Sequence, residues 1–274
     1  MIEFGYARTP YGQIHYAECG SGDPVLLLHQ TPRSWDEYRE VLPLLGGSRR
    51  VVAMDTLGFG ASAAPAAHTI EDYAQGVLAL MDALGLDSAA VAGHHTGGVI
   101  AIEVAARAPE RVTRLVLSST PMVDAASRER RRRGGRPVDN ATEREDGAHL
   151  TELWASRAAF YPPGRPDLLA RYVRDALTVW PGVGLGHQAV GAYLMEERLG
   201  LIRCPVLCVG ATGDPFGFPE LHRLAVPLNA ATAVIEGGMI PLELRADEFA
   251  RVVAAFLDRP GRPDHRAQQA DHKF

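Results

Sequence analysis

The sequence has few of the residues that mark small secreted domains or nucleic-acid-binding proteins. Its 274 residues include only 3 cysteines, and 28 basic residues face 33 acidic ones, for a net charge of −5. Cys19, Cys204 and Cys208 are too few and too scattered for a disulfide framework, and no cluster of cysteine and histidine has zinc spacing. We therefore expect a cytoplasmic protein that holds no metal. The acidic balance gives no general attraction to nucleic acid or to anionic membranes.

Long hydrophobic runs and targeting signals are also missing. No window approaches the roughly 20 apolar residues that span a bilayer, and the first residues do not have the pattern of a signal peptide. The arginine-rich run at 128–136 has no aromatic platform beside it and is typical of a solvated surface. The glycines at 58–62 lack the spacing of a dinucleotide fingerprint. We therefore predict no cofactor, a small-molecule substrate as partner, and no nucleic-acid or membrane partner; a homodimer is left open.

The residues that are present form an alternating pattern. Short apolar runs bounded by Gly, Pro or Asp alternate with longer segments of helical period, which predicts βαβ units and a mostly parallel sheet. The runs lie at 25–29, 51–55, 89–94, 114–119, 205–210 and 232–237. The sequence therefore predicts an α/β fold.

The gap between the fourth and fifth runs predicts a second unit. It is rich in arginine and aromatic residues and is interrupted by prolines, which favours helices and loops over strands. We predict a core formed by 1–120 and 202–260, an inserted helical cap at 121–201, and a polar tail at 261–274. A short hairpin is expected at the start of the core, around the Pro-Tyr-Gly turn that begins at Pro10.

The residues that follow the apolar runs are the candidates for a site, because ligands bind beyond the carboxyl ends of parallel strands. Four segments stand there: HQTP at 29–32, DTLGFGAS at 55–62, GHHTG at 93–97, and the loop that carries Asp214. Their order and spacing resemble the α/β-hydrolase superfamily over nearly the whole chain. The resemblance implies a twisted, mostly parallel sheet with helices on both faces and a helical cap. It also implies an oxyanion loop at 29–32 and a nucleophile elbow at 93–97.

The sequence departs from that family at its catalytic positions. His95 occupies the elbow position where the family usually has Ser, Cys or Asp, and Met239 occupies the position of the catalytic His. Gln30 replaces the loop glycine. Acyl transfer by a serine needs an alcohol nucleophile and a separate base, and this chain has neither in place. An ordinary serine esterase is therefore excluded.

His95 can take over acid/base work. An imidazole reaches about 4.5 Å from Cα, whereas a serine oxygen reaches about 2.4 Å. The ring could then fill the space of both missing residues, with one nitrogen toward Asp214 and the other toward the pocket. Asp124 lies near the family's alternative acid position, and Asp214 is preferred because its loop matches more closely. We predict a His95–Asp214 pair.

Backbone amides would stabilise a developing oxyanion whatever residue stands at the elbow. The candidates are Thr96, which follows the elbow, and Gln30 or Thr31 on the other loop. Arg33 and Trp35, which follow that loop, and Met239 complete the predicted substrate-binding residues. The resemblance implies that His29 holds the loop by hydrogen bonds.

The cap is expected to supply an aromatic wall, because ligand sites are mainly apolar with a few aimed polar groups. The predicted pocket residues of the cap are Trp154, Tyr161, Trp180, His187 and Tyr193. They favour a medium-sized aromatic or polyketide-like substrate of secondary metabolism.

Three functions remain open. The favoured one is a biosynthetic, non-hydrolytic enzyme in which His95 and Asp214 move a proton during C–C bond formation, cyclisation or elimination, with the enolate or phenolate held by the oxyanion amides. The second is a hydrolase in which His95 activates water against an ester, a lactone or a β-dicarbonyl. The third is a non-catalytic ligand-binding protein.

The absence of a serine at the elbow position leads to a direct prediction. A fluorophosphonate probe, which labels activated serines, will not react with the native protein, because no serine stands at the elbow. Intact-mass spectrometry after incubation measures this, with an ordinary serine hydrolase as the positive control. A single stoichiometric adduct on the native chain would contradict it.

Overall fold

The computed structural model describes residues 1–133 and 142–259, so the tail predicted at 261–274 lies outside the described residues. The described residues form one eight-stranded sheet of order β1-β2-β4-β3-β5-β6-β7-β8. The strands are β1 (Glu3–Thr9), β2 (Gly12–Cys19), β3 (Pro24–Leu28), β4 (Arg50–Met54), β5 (Ala89–His94), β6 (Val112–Ser118), β7 (Val206–Gly213) and β8 (Ala231–Gly238). The α-helices are α1 (Val41–Leu45), α2 (Ile70–Ala83), α3 (Thr96–Arg107), α4 (Ala125–Arg132), α5 (Ala148–Ala158), α6 (Pro166–Thr178), α7 (Leu185–Ala192), α8 (Leu221–Ala225), α9 (Pro241–Leu244) and α10 (Ala246–Leu257).

The sheet is parallel from β4 to β8, and β1 and β2 form an antiparallel hairpin at one edge. Strands β3, β4 and β5 read as nearly unbroken apolar runs because helices cover both of their faces. Helices α2 and α3 pack on one face, while α1 and α10 pack on the other. The predicted α/β class, with a mostly parallel sheet and helices on both sides, is confirmed.

Helices α4 to α7 lie between β6 and β7, in the interval predicted to form the cap. Residues 134–141 of this interval lie outside the described residues. Five side chains on α5, α6 and the turn that follows form a small apolar cluster of their own: Leu153, Leu169, Tyr172, Ala176 and Val183. No helix in the described part of the chain is both long and apolar enough to cross a membrane.

A buried arginine ties these helices to the core. Arg33 is 0% exposed, and its Nε donates to Asp175 on α6 at 2.9 Å while its Nη1 donates to Glu243 on α9 at 2.7 Å. Glu37 lies 4.0 Å from the same Nη1. A charge removed from water is tolerated only when partners of opposite sign surround it. Arg33 therefore joins three segments that are distant in sequence.

Further ion pairs hold the cap from both sides. Arg171 on α6 donates to Asp36 at 2.6 Å and to Glu40 at 2.7 Å. On the opposite side, Glu103 of α3 accepts from Arg198 at 2.8 Å and from the hydroxyl of Tyr193 at 2.8 Å. The cap is therefore attached through charged groups, most of which are buried on the core side.

Glu37 gives this network a pH dependence. Burial raises the pKa of its carboxyl from an ordinary 4.5 to about 8, against the lowering effect of Arg33, and the like charge of Glu243 raises it further. Between these two values the folded chain holds a proton that the unfolded chain has lost. The free energy of unfolding contributed by Glu37 therefore falls as pH rises from about 4.5 to about 8.

We expect Glu37→Gln to flatten the decline of stability across this window. The slope that is lost is at most about 1.4 kcal/mol per pH unit, since one proton is involved. Urea unfolding at a series of pH values measures it. Glu3→Gln, at an exposed position on β1, is the control and should keep the slope of the native protein. An unchanged slope in Glu37→Gln would show that Glu37 does not hold the proton.

Candidate active site

The turn between β5 and α3 presents His95 above the sheet. Its backbone has φ 46° and ψ −112°, a conformation that L side chains rarely adopt. Glycines allow the tight turn: a β-carbon on Gly97 would lie 1.9 Å from the carbonyl oxygen of Leu28, and one on Gly93 would lie 2.2 Å from the backbone of Gly97. The backbone of this turn therefore has the sharp strand-to-helix geometry of a nucleophile elbow, with an imidazole at its tip.

His95 reaches across the sheet to Asp214. Its Nε2 lies 2.9 Å from Oδ2 of the aspartate, although the N–H direction is not aligned for a regular hydrogen bond. Asp214 follows β7 and His95 follows β5, so the ring spans the end of β6, which lies between those two strands. The geometry brings together the two residues that the sequence singled out as a pair.

The surroundings of Asp214 keep it ionised. Burial raises its pKa, but the neighbouring His95 and the amides of Phe216 and Gly217 hold that pKa well below the ordinary range. The two amides donate to Oδ1 at 2.9 and 3.0 Å. A carboxylate facing Nε2 favours the tautomer that carries its proton on Nε2, which leaves the lone pair on Nδ1. The His95 side chain is 12% exposed and its Nε2 is fully buried, so Nδ1 is the nitrogen left to meet a substrate or water.

Two backbone amides lie on the two segments that meet at this turn. Thr96 begins α3, and Thr31 lies on the loop after β3; among the described residues neither amide donates to a protein acceptor. The hydroxyls of the two threonines lie 3.0 Å apart, which shows how closely the loop and the helix approach. Both amides are among those that the sequence predicted as oxyanion donors, and that of Thr96 stands at a helix N-terminus.

Gln30 does not belong to this amide pair. Its backbone N–H donates to Glu37 at 2.8 Å, and its side-chain amide donates to the other oxygen of Glu37 at 2.6 Å. Both donor groups are therefore occupied by a buried carboxylate. The predicted oxyanion role of the Gln30 amide is therefore wrong, because the loop turns this N–H toward Glu37, and the role of Thr31 stays a prediction.

His29 and His94 are buried histidines that hold the backbone in place. His29 contacts the Gln30 carbonyl through Nδ1 at 2.7 Å and accepts from the Thr56 amide through Nε2 at 3.0 Å. His94 lies 3.0 Å from the hydroxyl of Ser118. Burial, and then the neighbouring His95, hold the pKa of His94 well below its ordinary range. A neutral His94 therefore lies beside the His95 ring.

Three other residues were predicted to bind substrate: Arg33, Trp35 and Met239. Arg33 is held in the buried ion-pair network, and Trp35 packs edge-on against Phe4 of the edge strand β1, with ring centroids 4.8 Å apart. The geometry therefore gives neither of them a pocket role. Met239 is buried at 7% exposure on the loop after β8, where the sequence placed it.

The predicted aromatic wall is mostly used for packing inside the cap. Tyr161 and Trp180 pack against the apolar cluster of the cap, and Trp154 on α5 is 37% exposed. Tyr193 lies in the main core with its hydroxyl donated to Glu103, so its predicted place in the pocket is wrong. His187 is on α7, next to Gly186, the cap residue that touches Thr31.

Sequence reasoning missed Ser119. It follows β6, directly between the strands that carry His95 and Asp214, and the register pairs His94 with Ser118. Its φ is 46°, and its buried hydroxyl has no hydrogen-bond partner among the described residues. The position of Ser119 follows only from the register of the parallel strands, which local sequence patterns do not show.

Asp124 lies outside the site, since its carboxylate caps α4 and contacts Arg223 at 2.7 Å.

No group of three His, Cys, Asp or Glu side chains in residues 1–133 and 142–259 is arranged to hold a metal ion. His94 and His95 adjoin each other, but their rings meet edge to face at 4.6 Å between centroids. The candidate site thus consists of the His95 imidazole, the Asp214 carboxylate and the two backbone amides.

Comparison with known proteins finds curated relatives over part of the chain. The chain is 36% identical over 129 residues to bifunctional epoxide hydrolase 2 of Sus scrofa, which is 44% of this chain and 23% of that protein. It is 43% identical over 108 residues to 2-hydroxymuconate semialdehyde hydrolase of Pseudomonas sp. (strain CF600), which is 36% of this chain and 37% of that protein. The matched segment thus spans less than two fifths of either curated relative.

A solved structure matches over nearly the whole chain. The enol-lactonase from Burkholderia xenovorans LB400 superposes with a TM-score of 0.75 at 23% identity, covering 93% of this chain and 100% of that one, which shows a shared fold. The sequence model of the alpha/beta hydrolase fold matches residues 23–222. This range contains the elbow, the oxyanion loop and Asp214. The chain therefore belongs to the alpha/beta hydrolase fold family.

Proposed function

We propose that the protein is a hydrolase in which His95, supported by Asp214, activates water directly. The observation that carries this proposal is the 2.9 Å contact between His95 Nε2 and Asp214 Oδ2 at the tip of the elbow. A carboxylate that faces one ring nitrogen orients the other as a general base. No alcohol, thiol or carboxylate occupies the elbow position, so the nucleophile is water.

The reaction that follows is a single displacement at an acyl carbon. Nδ1 of His95 takes a proton from water while the water oxygen bonds to the carbonyl carbon. The carbonyl oxygen becomes an oxyanion, held by the amides of Thr31 and Thr96. The C–O bond to the leaving group then breaks, and the imidazolium returns its proton to the departing oxygen. Ester plus water gives acid plus alcohol, and the enzyme is unchanged.

The names of the relatives favour hydrolysis over the other two functions. The curated relatives are an epoxide hydrolase, a semialdehyde hydrolase and a haloalkane dehalogenase, and nothing among them supports C–C bond formation, cyclisation or elimination. The ionised Asp214 also gives His95 a partner that a pure binding protein does not need. A hydrolase is therefore the function that site and family support together.

The substrate class follows from the electrophile that such a site can attack. Because no covalent intermediate divides the reaction into two easier steps, the substrate carbonyl must itself be reactive. Such carbonyls are found in a lactone, an ester with a good leaving group, or a β-dicarbonyl. The solved enol-lactonase with the same fold is consistent with a lactone. We infer a small lactone or activated ester as the substrate.

We expect hydrolysis of p-nitrophenyl butyrate and of small lactones by the native protein, and a loss of kcat/KM of about 100-fold or more in His95→Gln. Asp214→Asn should reduce kcat as well, because the ring loses its orientation. His222→Gln, an exposed histidine on α8, is the matched control. Initial rates measured by absorbance and by titration of released acid give these values.

Labelled water separates the alternatives. In H2¹⁸O, hydrolysis places one ¹⁸O in the acid product within a single turnover, which separates hydrolysis from non-hydrolytic chemistry; direct attack by water is distinguished from a covalent route by the absence of an acyl adduct on the protein. Mass spectrometry of the product and of the quenched enzyme reads both. An acyl group on His95 would replace the water mechanism by a covalent one. Full activity in His95→Gln, or no turnover by the native protein, would overturn the proposal.

A further inference from the structure

The side chains of Thr31 and Thr96 form a buried hydroxyl pair beside the oxyanion amides. Their Oγ1 atoms lie 3.0 Å apart, and the residues are 1% and 3% exposed. No other hydrogen bond of either hydroxyl is found in the described part of the chain. Two segments 65 residues apart in sequence thus meet through this pair of hydroxyls.

Covalent geometry places these hydroxyls next to the two amides. In any threonine, Oγ1 is three bonds from its own nitrogen, so the two atoms lie within about 3 to 4 Å of each other in every staggered rotamer. The N–H of Thr31 and the N–H of Thr96 therefore each lie within about 4 Å of one hydroxyl of the bridging pair. The pair stands next to the elbow, because Thr96 follows His95 in the chain.

Counting donors and acceptors shows an excess of donors. In a pair of hydroxyls, one O–H donates to the other oxygen, and the second O–H is left without an acceptor. Together with the two amides, the cluster offers three donors. The N-terminus of α3 adds the positive end of a twelve-residue helix. A buried cluster with more donors than acceptors is satisfied when an anionic oxygen binds to it.

The cap encloses the hydroxyl pair. Gly186 on α7 lies so close that a β-carbon there would be 2.1 Å from Thr31 Oγ1. Nothing larger than glycine fits at this position without moving the threonine. The two threonines are buried, and a hydrogen bond to a developing charge is stronger in such surroundings than in water.

We propose that the Thr31–Thr96 hydroxyl pair is the third donor of the oxyanion site. This inference rests on the proposed hydrolase function. As the water oxygen bonds to the carbonyl carbon, the C=O π electrons move onto the oxygen, which then accepts from two N–H groups and one O–H. The donating hydroxyl is itself polarised because it accepts from its partner. No proton leaves the pair during the reaction.

The test compares Thr31→Val/Thr96→Val with Thr31→Ser/Thr96→Ser. Valine keeps the shape of threonine and removes both hydroxyls, whereas serine keeps the hydroxyls and removes the methyl groups. We expect kcat on p-nitrophenyl butyrate to fall about 100-fold in the valine variant with KM little changed, and most of kcat to return in the serine variant. Thermal unfolding of both variants controls for the fold.

A second readout does not depend on turnover. A trifluoromethyl ketone forms a hydrate that resembles the tetrahedral intermediate, and its Ki should rise in the valine variant and recover in the serine variant. The Ki of the corresponding alcohol, which has no geminal oxygen, should not change. If the double valine variant does not fold, each single valine variant is compared with its serine counterpart in the same two assays.

The outcomes separate this inference from the proposed function. A native protein that hydrolyses no ester or lactone overturns the function itself. An active native protein whose valine and serine variants share the same kcat and the same Ki overturns the third donor alone. A valine variant with a lowered unfolding temperature but native kcat would make the pair a structural contact only.

Discussion

The backbone contact between helix α3 and the end of the sheet is the constraint on which the site depends. Gly97 touches the Leu28 carbonyl, and no side chain fits between them. Because two backbones meet directly, the chain must turn within one residue, and His95 takes the strained conformation of that turn. The same contact brings the amide and hydroxyl of Thr96 to the loop that carries Thr31. The proposed base and the proposed oxyanion donors therefore depend on the same backbone contact.

An imidazole at the elbow extends over the space of two residues of the family, the nucleophile and the catalytic histidine. From Cα it extends past the end of β6 and meets Asp214, which a serine at the same place could not reach. The loop after β8 then has no catalytic histidine to carry, and a buried Met239 stands there instead. The geometry explains how the chain can depart from its family at two positions and still bring a base and a carboxylate together.

The charged interior between cap and core sets the shape of the oxyanion loop. Glu37 accepts both donors of Gln30, and Arg33 binds Asp175 and Glu243, so the loop is fastened on both sides of Thr31. Buried charges are costly unless all of them are paired, which restricts this segment to few conformations. The loop can thus present one amide to the site while its neighbours bind the cap.

Most of the fold and the principal residues of the site could be predicted from the sequence. Apolar runs, the spacing of glycines and the residues at strand ends are local features, because each reflects a constraint on the backbone within a few residues. They placed His95 and Asp214 at the carboxyl ends of two strands of the same sheet, Thr96 directly after the elbow, and Gln30 and Thr31 on the loop after β3. Ser119 was missed because its place depends on strand order.

Only the tertiary structure decided where the long polar and aromatic side chains go. Arg33 and Trp35 follow the oxyanion loop in sequence, yet one ends in an ion-pair network and the other against β1. Tyr193 belongs to the cap interval and donates into the core at Glu103. Such side chains span several ångströms and pair with residues up to 210 positions away, so no local pattern encodes their partners. The sequence by itself determined which chemical groups stand at the strand ends, and folding determined which of them remain free to react.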